Sequence, residues 1–172
     1  MIHIKIALVG PESTGKSTLA AQLANHFQAP LITEYARNYI DDLDRPYRES
    51  DLLEIAQGQK ALEKTALENG HNILICDTNL LVIKIWGEYK FGRCHPWILE
   101  NMDLNSYRMN FLTGTDVPWT FDPQRENPFE RDELFDIYRT NLITLGAKYV
   151  ELWGNQNQRF NDALAEIQTM IK

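Results

Sequence analysis

Short apolar runs alternate along this chain with longer stretches in which apolar residues recur every three or four positions. Ile4-Lys5-Ile6-Ala7-Leu8-Val9 predicts a strand ending at Gly10, and Leu19, Leu23, Ala24 and Phe27 follow at helical spacing. Leu31-Ile32-Thr33 predicts a short second strand that runs into Glu34. A long helix is expected next, with Leu52, Ile55, Ala56, Leu62 and Ala66 on one stripe and a stop at Asn69-Gly70. Ile73-Leu74-Ile75-Cys76 is read as a buried central strand that ends at Asp77 and is followed by a helix. Further strands are expected over residues 107–113 and 148–153, the latter near an edge because it alternates more and carries Glu151. A closing helix would place Phe160, Leu164, Ile167 and Ile171 on one face. Between Trp119 and Asp132 lies a polar, Pro-containing stretch without periodicity, of the kind that forms functional loops.

Strands separated by helical patterns are the mark of βαβ units, so the expected fold is α/β with a parallel sheet. Composition agrees: 44% hydrophobic and 24% charged residues in 172 positions is globular, not disordered. Residues 1–172 are expected to form one domain, without repeat or Gly/Ser linker. The formal charge of −7 argues against sequence-independent nucleic-acid or anionic-membrane binding, which need a surplus of Lys and Arg. Cys76 and Cys94 cannot make a disulfide framework, and no zinc-type ligand spacing surrounds the Cys94-His95 pair. No basic-then-apolar leader is read before the first strand and no run reaches the ~18 apolar residues of a membrane helix, so a cytoplasmic location is expected.

Gly10-Pro11-Glu12-Ser13-Thr14-Gly15-Lys16-Ser17 matches G-x-x-x-x-G-K-[ST] in full. The glycines let the chain curl, so that loop N–H groups converge on phosphate oxygens at the positive end of the following helix. Lys16 supplies charge to the β- and γ-phosphates, and the Ser17 hydroxyl is a ligand for Mg²⁺. ATP is thus expected on residues 10–18, Thr18 included. Asp77 lies 61 residues after Lys16 at the end of an apolar strand, where it can hold Mg²⁺ or, alternatively, cap the next helix.

The chain has no Asn-Lys-x-Asp guanine-reading motif, and an AAA+ machine would be longer and carry a helical lid domain. The classes left are a small-molecule kinase and a regulatory nucleotide switch with no small acceptor. A kinase needs an acid facing the acceptor and cations that close over the phosphates. Glu34, at the end of the second strand, is the candidate base. Arg37, one turn on, could hold Glu34 ionised, touch substrate, or simply pair with it at the surface. Arg125 and Arg131, flanking Pro128, are the candidate cations of a closing lid over residues 119–132. Gln59 falls on the inward stripe and must find a buried backbone group or a ligand, and Gly58 beside it marks close approach by another group.

These motifs, together with Glu34-Tyr35-Ala36-Arg37, Ala56-Gln57-Gly58-Gln59, Cys76-Asp77-Thr78 and Asp116-Val117-Pro118-Trp119, resemble the ribosylnicotinamide kinase domain of NadR-type proteins, an AAA-like small-molecule kinase, over nearly the whole chain. The resemblance implies a P-loop three-layer sandwich with a five-stranded parallel sheet, like nucleoside and nucleotide kinases, and a short lid. It implies ATP-dependent phosphorylation of the 5′-hydroxyl of nicotinamide riboside, with Glu34, Tyr35, Arg37, Gln59 and Asp77 around the substrate. Two segments depart from the pattern. Asp77-Thr78-Asn79 stands where the family often has Asp-Thr-Asp, and Asp122-Pro123-Gln124-Arg125 stands for Asp-Gly-Leu-Arg, so only Asp122 and Arg125 carry over. Some members also carry an adenylyltransferase domain; this chain is expected to perform only the kinase half. Tyr35, Trp86, Tyr89 and Trp119 are candidate stacking partners for the cationic nicotinamide ring, although core packing is the commoner fate of an aromatic side chain at each such position.

Overall fold

The computed structural model describes residues 4–171; Met1–His3 and Lys172, the ends of the expected domain, lie outside it. Five strands, β1 (Ile4–Val9), β2 (Leu31–Ile32), β3 (Ile73–Asp77), β4 (Met109–Thr113) and β5 (Tyr149–Leu152), form one parallel sheet in the order β2-β3-β1-β4-β5. Parallel neighbours need crossovers. These are supplied by helices α1 (Lys16–Phe27), α2 (Tyr35–Asp41), α3 (Glu49–Glu68), α4 (Leu80–Phe91), α5 (Pro96–Asn101) and α6 (Arg131–Thr144), and α7 (Gln156–Ile171) closes the chain. This is the α/β sandwich expected from the sequence, with β5 at the edge.

The period-2 geometry of strands divides the core. Ile6 and Leu8 of β1 face Leu19, Leu23, Ala163 and Ile167 of α1 and α7. Ala7 and Val9 face the opposite layer with Leu81 and Ile85 of α4 and Leu134, Tyr138 and Leu142 of α6. A third cluster packs α2 onto α3, α4 and α5 through Ala36, Leu52, Ile55, Ala56, Ile83 and Ile98. Among the described residues no helix is long and apolar enough to cross a membrane.

Several boundaries differ from the sequence reading, for identifiable reasons. Thr33 lies outside β2, and β4 begins at Met109 instead of 107. A 3₁₀ turn at Leu104–Ser106 delivers Tyr107 into the core, where its hydroxyl donates to Glu63 Oε1 at 2.6 Å. Leu62, expected on the inner stripe of α3, is exposed; the inward position belongs to Glu63, 6% exposed, which also takes a 3.0 Å bond from Lys5 Nζ. The stripe can run through a charge because two donors satisfy the carboxylate. In α7 the inner row is Arg159, Ala163 and Ile167, so Ile171 points outward. The irregular stretch ends one residue before Arg131, which already starts α6. Cys94 and His95 build a helix start: His95 Nδ1 accepts from Trp97 N at 3.1 Å.

Gly58, in the middle of α3, has the aromatic ring of Tyr35 where a Cβ would sit. Alanine there would gain about 1 kcal/mol of helix propensity, yet overpacking costs about 1–3 kcal/mol. Gly58→Ala is therefore expected to lower Tm, by about 2–4 °C per net kcal/mol lost. Thermal unfolding followed by circular dichroism checks this, and a raised Tm would show that the ring yields freely.

Candidate active site

The ends of three adjacent strands build the site. Leu8 of β1 pairs with Asp77 of β3, and Ile32 of β2 pairs with Cys76, so the loop after β1, the Asp77 side chain and Glu34 emerge side by side. Carboxyl ends of parallel strands are where such sheets bind ligands.

Gly10 (φ 136°) and Gly15 (φ 80°) take backbone angles that side chains disfavour. A Cβ on Gly10 would come within 2.8 Å of Thr113 Oγ1, so the loop also needs glycine to approach the end of β4. Thr14 Oγ1 donates to Pro11 O at 2.8 Å and lies 2.6 Å from Thr113 Oγ1. The Lys16 ammonium folds back over the loop, donating to Gly10 O at 2.9 Å and Pro11 O at 2.6 Å. Ser13 carries a left-handed φ of 55°.

The brace behind this loop was not singled out in the sequence. Arg159 of α7 is 3% exposed and donates to Thr14 O (2.6 Å), Gly114 O (3.0 Å) and Gly154 O (2.9 Å), and it pairs with Asp116. One planar guanidinium thereby ties the phosphate loop to the segments after β4 and β5, which a single long apolar side chain could not do. The only sequence signal was a charge on the inward row of an amphipathic helix.

A cavity of about 490 Å³ opens in front of the loop. Residues 10–18, Glu34 and Arg37 line it together with Ile40, Val82, Ile85, Trp86, Leu134 and Tyr138, so its wall is part polar and part apolar. Glu34 is the residue before α2, yet its side chain makes no capping bond there, which leaves the carboxylate to the cavity. Burial raises the Glu34 pKa above its ordinary value; Lys16 opposes the rise and Asp77 adds to it. The same crowding acts in reverse on Lys16, whose pKa burial lowers against the pull of Glu34 and Asp77. Asp77, 4% exposed, is likewise raised by burial, with a Ser17 hydrogen bond and Lys16 pulling it down. Its Oδ1 is buried with no hydrogen-bond partner among the described residues, while Asn79, not Asp77, caps α4 by accepting from Leu81 N at 3.0 Å. An orphaned carboxylate oxygen beside a serine hydroxyl is a donor set that fits a hard divalent cation such as Mg²⁺. Thr78, next to Asp77, is held at φ 79°, a strained angle for a β-branched residue, while its N–H donates to Leu8 O at 3.0 Å.

The segment between β4 and α6 lies over the phosphate loop. Arg125 lines the cavity, donating to Thr120 O at 2.5 Å and Ser13 Oγ at 3.3 Å. Glu12, expected among the ATP-binding residues, lines the cavity but gives its Oε2 to the lid, accepting from Glu126 N at 2.9 Å and Asn127 N at 3.0 Å. Arg37 bonds Asp122 Oδ2 of the lid at 2.9 Å and makes no ion pair with Glu34, while its charge still favours the ionised Glu34 carboxylate. Arg131 is aimed at main-chain oxygens, Ser13 O at 3.0 Å and Val117 O at 2.9 Å, with Trp119 beneath its guanidinium at 5.9 Å. Of the candidate aromatics, Trp86 and Tyr89 line the cavity; Tyr35 packs on Gly58 and Trp119 lies under Arg131. Gln59 is 1% exposed, and its Oε1 accepts from Tyr35 N at 2.8 Å.

Known proteins resemble both the sequence and this arrangement. The trifunctional NAD biosynthesis/regulator proteins NadR of Escherichia coli (strain K12) and of Salmonella typhimurium (strain LT2) are each 29% identical over 126 residues, covering 70% of this chain. The chain spans 30% of the length of those relatives. A crystal structure of NadR in complex with NR superposes with a TM-score of 0.80 at 19% identity, covering 98% of this chain and 49% of the other. Thymidylate kinase from Ehrlichia chaffeensis superposes with a TM-score of 0.68 at 14% identity, and each chain is covered in full. The glycine-bounded loop, the flanking strand ends and the Arg159 brace fall within residues 5–159, the stretch matched by the sequence pattern of the AAA domain, and the chain belongs to the AAA domain family.

Proposed function

We propose that this chain is an ATP-dependent kinase whose acceptor is the 5′-hydroxyl of nicotinamide riboside, giving nicotinamide mononucleotide, and that residues 1–172 act as one catalytic unit. The observation that carries the reading is that the Glu34 carboxylate and the phosphate loop line the same cavity of about 490 Å³. Its size suits a nucleoside-sized ligand. Its apolar lining residues, the Trp86 indole among them, suit a flat cationic ring. The similarity to NadR proteins and to NadR structures with NR and with NAD and AMP-PNP supports the same reading.

In this mechanism the acceptor hydroxyl lies between Glu34 and the γ-phosphate. Glu34 orients the hydroxyl and takes its proton as oxygen bonds to phosphorus and the bond to the β-phosphate oxygen breaks. A carboxylate with a raised pKa is a better proton acceptor at neutral pH than an ordinary glutamate. Lys16 leaves the loop carbonyls to meet the β- and γ-phosphates, and Arg125 stands over the loop where charge accumulates. Mg²⁺, held by Ser17 and Asp77, would neutralise phosphate charge when bound. Arg131 contributes by fixing Ser13 and the lid's first residues.

Glu34→Gln is expected to reduce turnover of nicotinamide riboside by ~10²–10⁴-fold while ATP affinity, measured by calorimetry, stays within about three-fold, since the phosphate loop is untouched. Turnover on other nucleosides but not on nicotinamide riboside would replace the substrate. ATP hydrolysis indifferent to every added nucleoside would favour a regulatory switch.

The raised pKa of Glu34 also sets the pH dependence. The base must be ionised, so kcat/KM falls as pH drops through the Glu34 pKa, and the midpoint of that limb is expected above 4.5. The stability consequence has the opposite sense. Because the folded state holds the proton more tightly than the unfolded chain, stability declines as pH rises through this window and stays lower above it. Glu34→Gln is therefore expected to raise the Tm of the ligand-free protein at pH 7 and to flatten this part of its pH dependence. A Tm that falls at pH 7 would show that the carboxylate makes a stabilising contact in the fold.

A further inference from the structure

The site contains a helix start that does not cap itself. A residue in Glu34's position would ordinarily be Ser, Thr, Asp or Asn, whose side chain bonds an N–H of the second or third helical residue. Glu34 makes no such bond, and α2 is only seven residues long, too short to be held by its own hydrogen bonds. The N–H of Tyr35, the first of the helix and one that a side chain at Glu34's position does not ordinarily reach, is taken by the buried Gln59 side chain, whose Oε1 accepts it at 2.8 Å from across the interface with α3. The preceding residue of α3, Gly58, removes the side chain that would collide with the Tyr35 ring. Gly58 and Gln59 therefore hold Tyr35 at two points, by its ring and by its peptide nitrogen, and Tyr35 is the residue directly after Glu34.

We infer that Gln59 is a positioning residue for Glu34: it holds the N–H of Tyr35, and with it the peptide that joins Glu34 to Tyr35, and so aims the Glu34 carboxylate. The inference rests on the reading of Glu34 as the proton acceptor. It assigns Gln59 and Tyr35 a role behind the cavity, where neither touches the acceptor. It also explains why a glycine, unfavourable inside a helix, and a buried amide stand next to each other on the inner side of α3. The peptide that Gln59 fixes is the Glu34–Tyr35 bond itself. A small rotation there swings the carboxylate through a larger arc, and misplacement of a reacting group by about 1 Å can cost ~10²-fold in rate.

The test is a set of variants on the full chain: Gln59→Leu, Gly58→Ala, Glu34→Gln, and each of the first two combined with the third. Gln59→Leu removes the Nε2 group, which has no partner among the described residues, but leaves the Tyr35 N–H without its acceptor, a loss of stability that a thermal melt of each variant reads separately from kcat. Expected are a fall in kcat of ~10–10²-fold for Gln59→Leu, a smaller fall for Gly58→Ala, and ATP affinity within about three-fold of the parent, which also reports an intact phosphate loop. In the Glu34→Gln background neither substitution should lower kcat further, because the group they position is already lost. A merely structural role would instead produce the same fold-loss in both backgrounds. That result, or a kcat within about two-fold of the parent for both single variants, overturns the inference. If Gln59→Leu does not fold, Gly58→Ala alone decides it in the two backgrounds. An unimpaired Glu34→Gln enzyme would remove the proposed base, and with it this inference. An impaired Glu34→Gln enzyme beside unimpaired Gln59 and Gly58 variants would remove this inference alone.

Discussion

The site depends on the parallel pairing of β1 with β3 and of β3 with β2. Parallel strands deliver their carboxyl ends to the same edge of the sheet. Three groups far apart in the chain, the phosphate loop, Glu34 and Asp77, become neighbours without any contact between their own side chains being needed to bring them together. The hydrophobic layers on both faces hold that register, since slipping a strand by one residue would turn its apolar side chains to the wrong face.

This placement has an electrostatic cost that the fold carries at one spot. Lys16, Glu34 and Asp77 lie close enough to feel one another's charge, and burial shifts each of them toward its neutral form while the opposite charges pull it back. An Asp77 oxygen is left without a hydrogen-bond partner among the described residues. Such an arrangement is less stable than it could be, and it suits a ligand that brings both phosphate and a divalent cation. The supporting contacts lie one layer out. Arg159 holds the loop from behind, Glu12 and Ser13 tie it to the lid in front, and Gln59 holds the start of α2.

Much of this was legible in advance because the signals were local. A glycine-bounded loop between an apolar strand and an amphipathic helix, and acids at the ends of apolar strands, follow from residues close together in the chain. What could not be read were the partners of polar groups on inward faces. Glu63, Gln59 and Arg159 all lie on helix rows that face the core, yet periodicity alone treats a polar residue there as an interruption. Periodicity favours Leu62 for the inward place that Glu63 holds, because an apolar side chain costs less to bury than a charged one without a partner nearby in the chain. The Lys5 and Tyr107 donors that make Glu63 acceptable lie 58 and 44 residues away in sequence.

The class of fold, the glycine-bounded loop and the set of ionisable residues at the strand ends are therefore written into short stretches of chain, because backbone conformation and hydrophobic period are encoded over a few residues. How those groups are aimed follows only from packing. It turned Glu12 toward the lid, Arg37 toward Asp122 and Arg131 toward main-chain carbonyls, and it put Arg159 behind the loop. A side chain's direction is settled by whichever donor or acceptor the packed neighbours leave unsatisfied, and that is a property of contacts between distant segments.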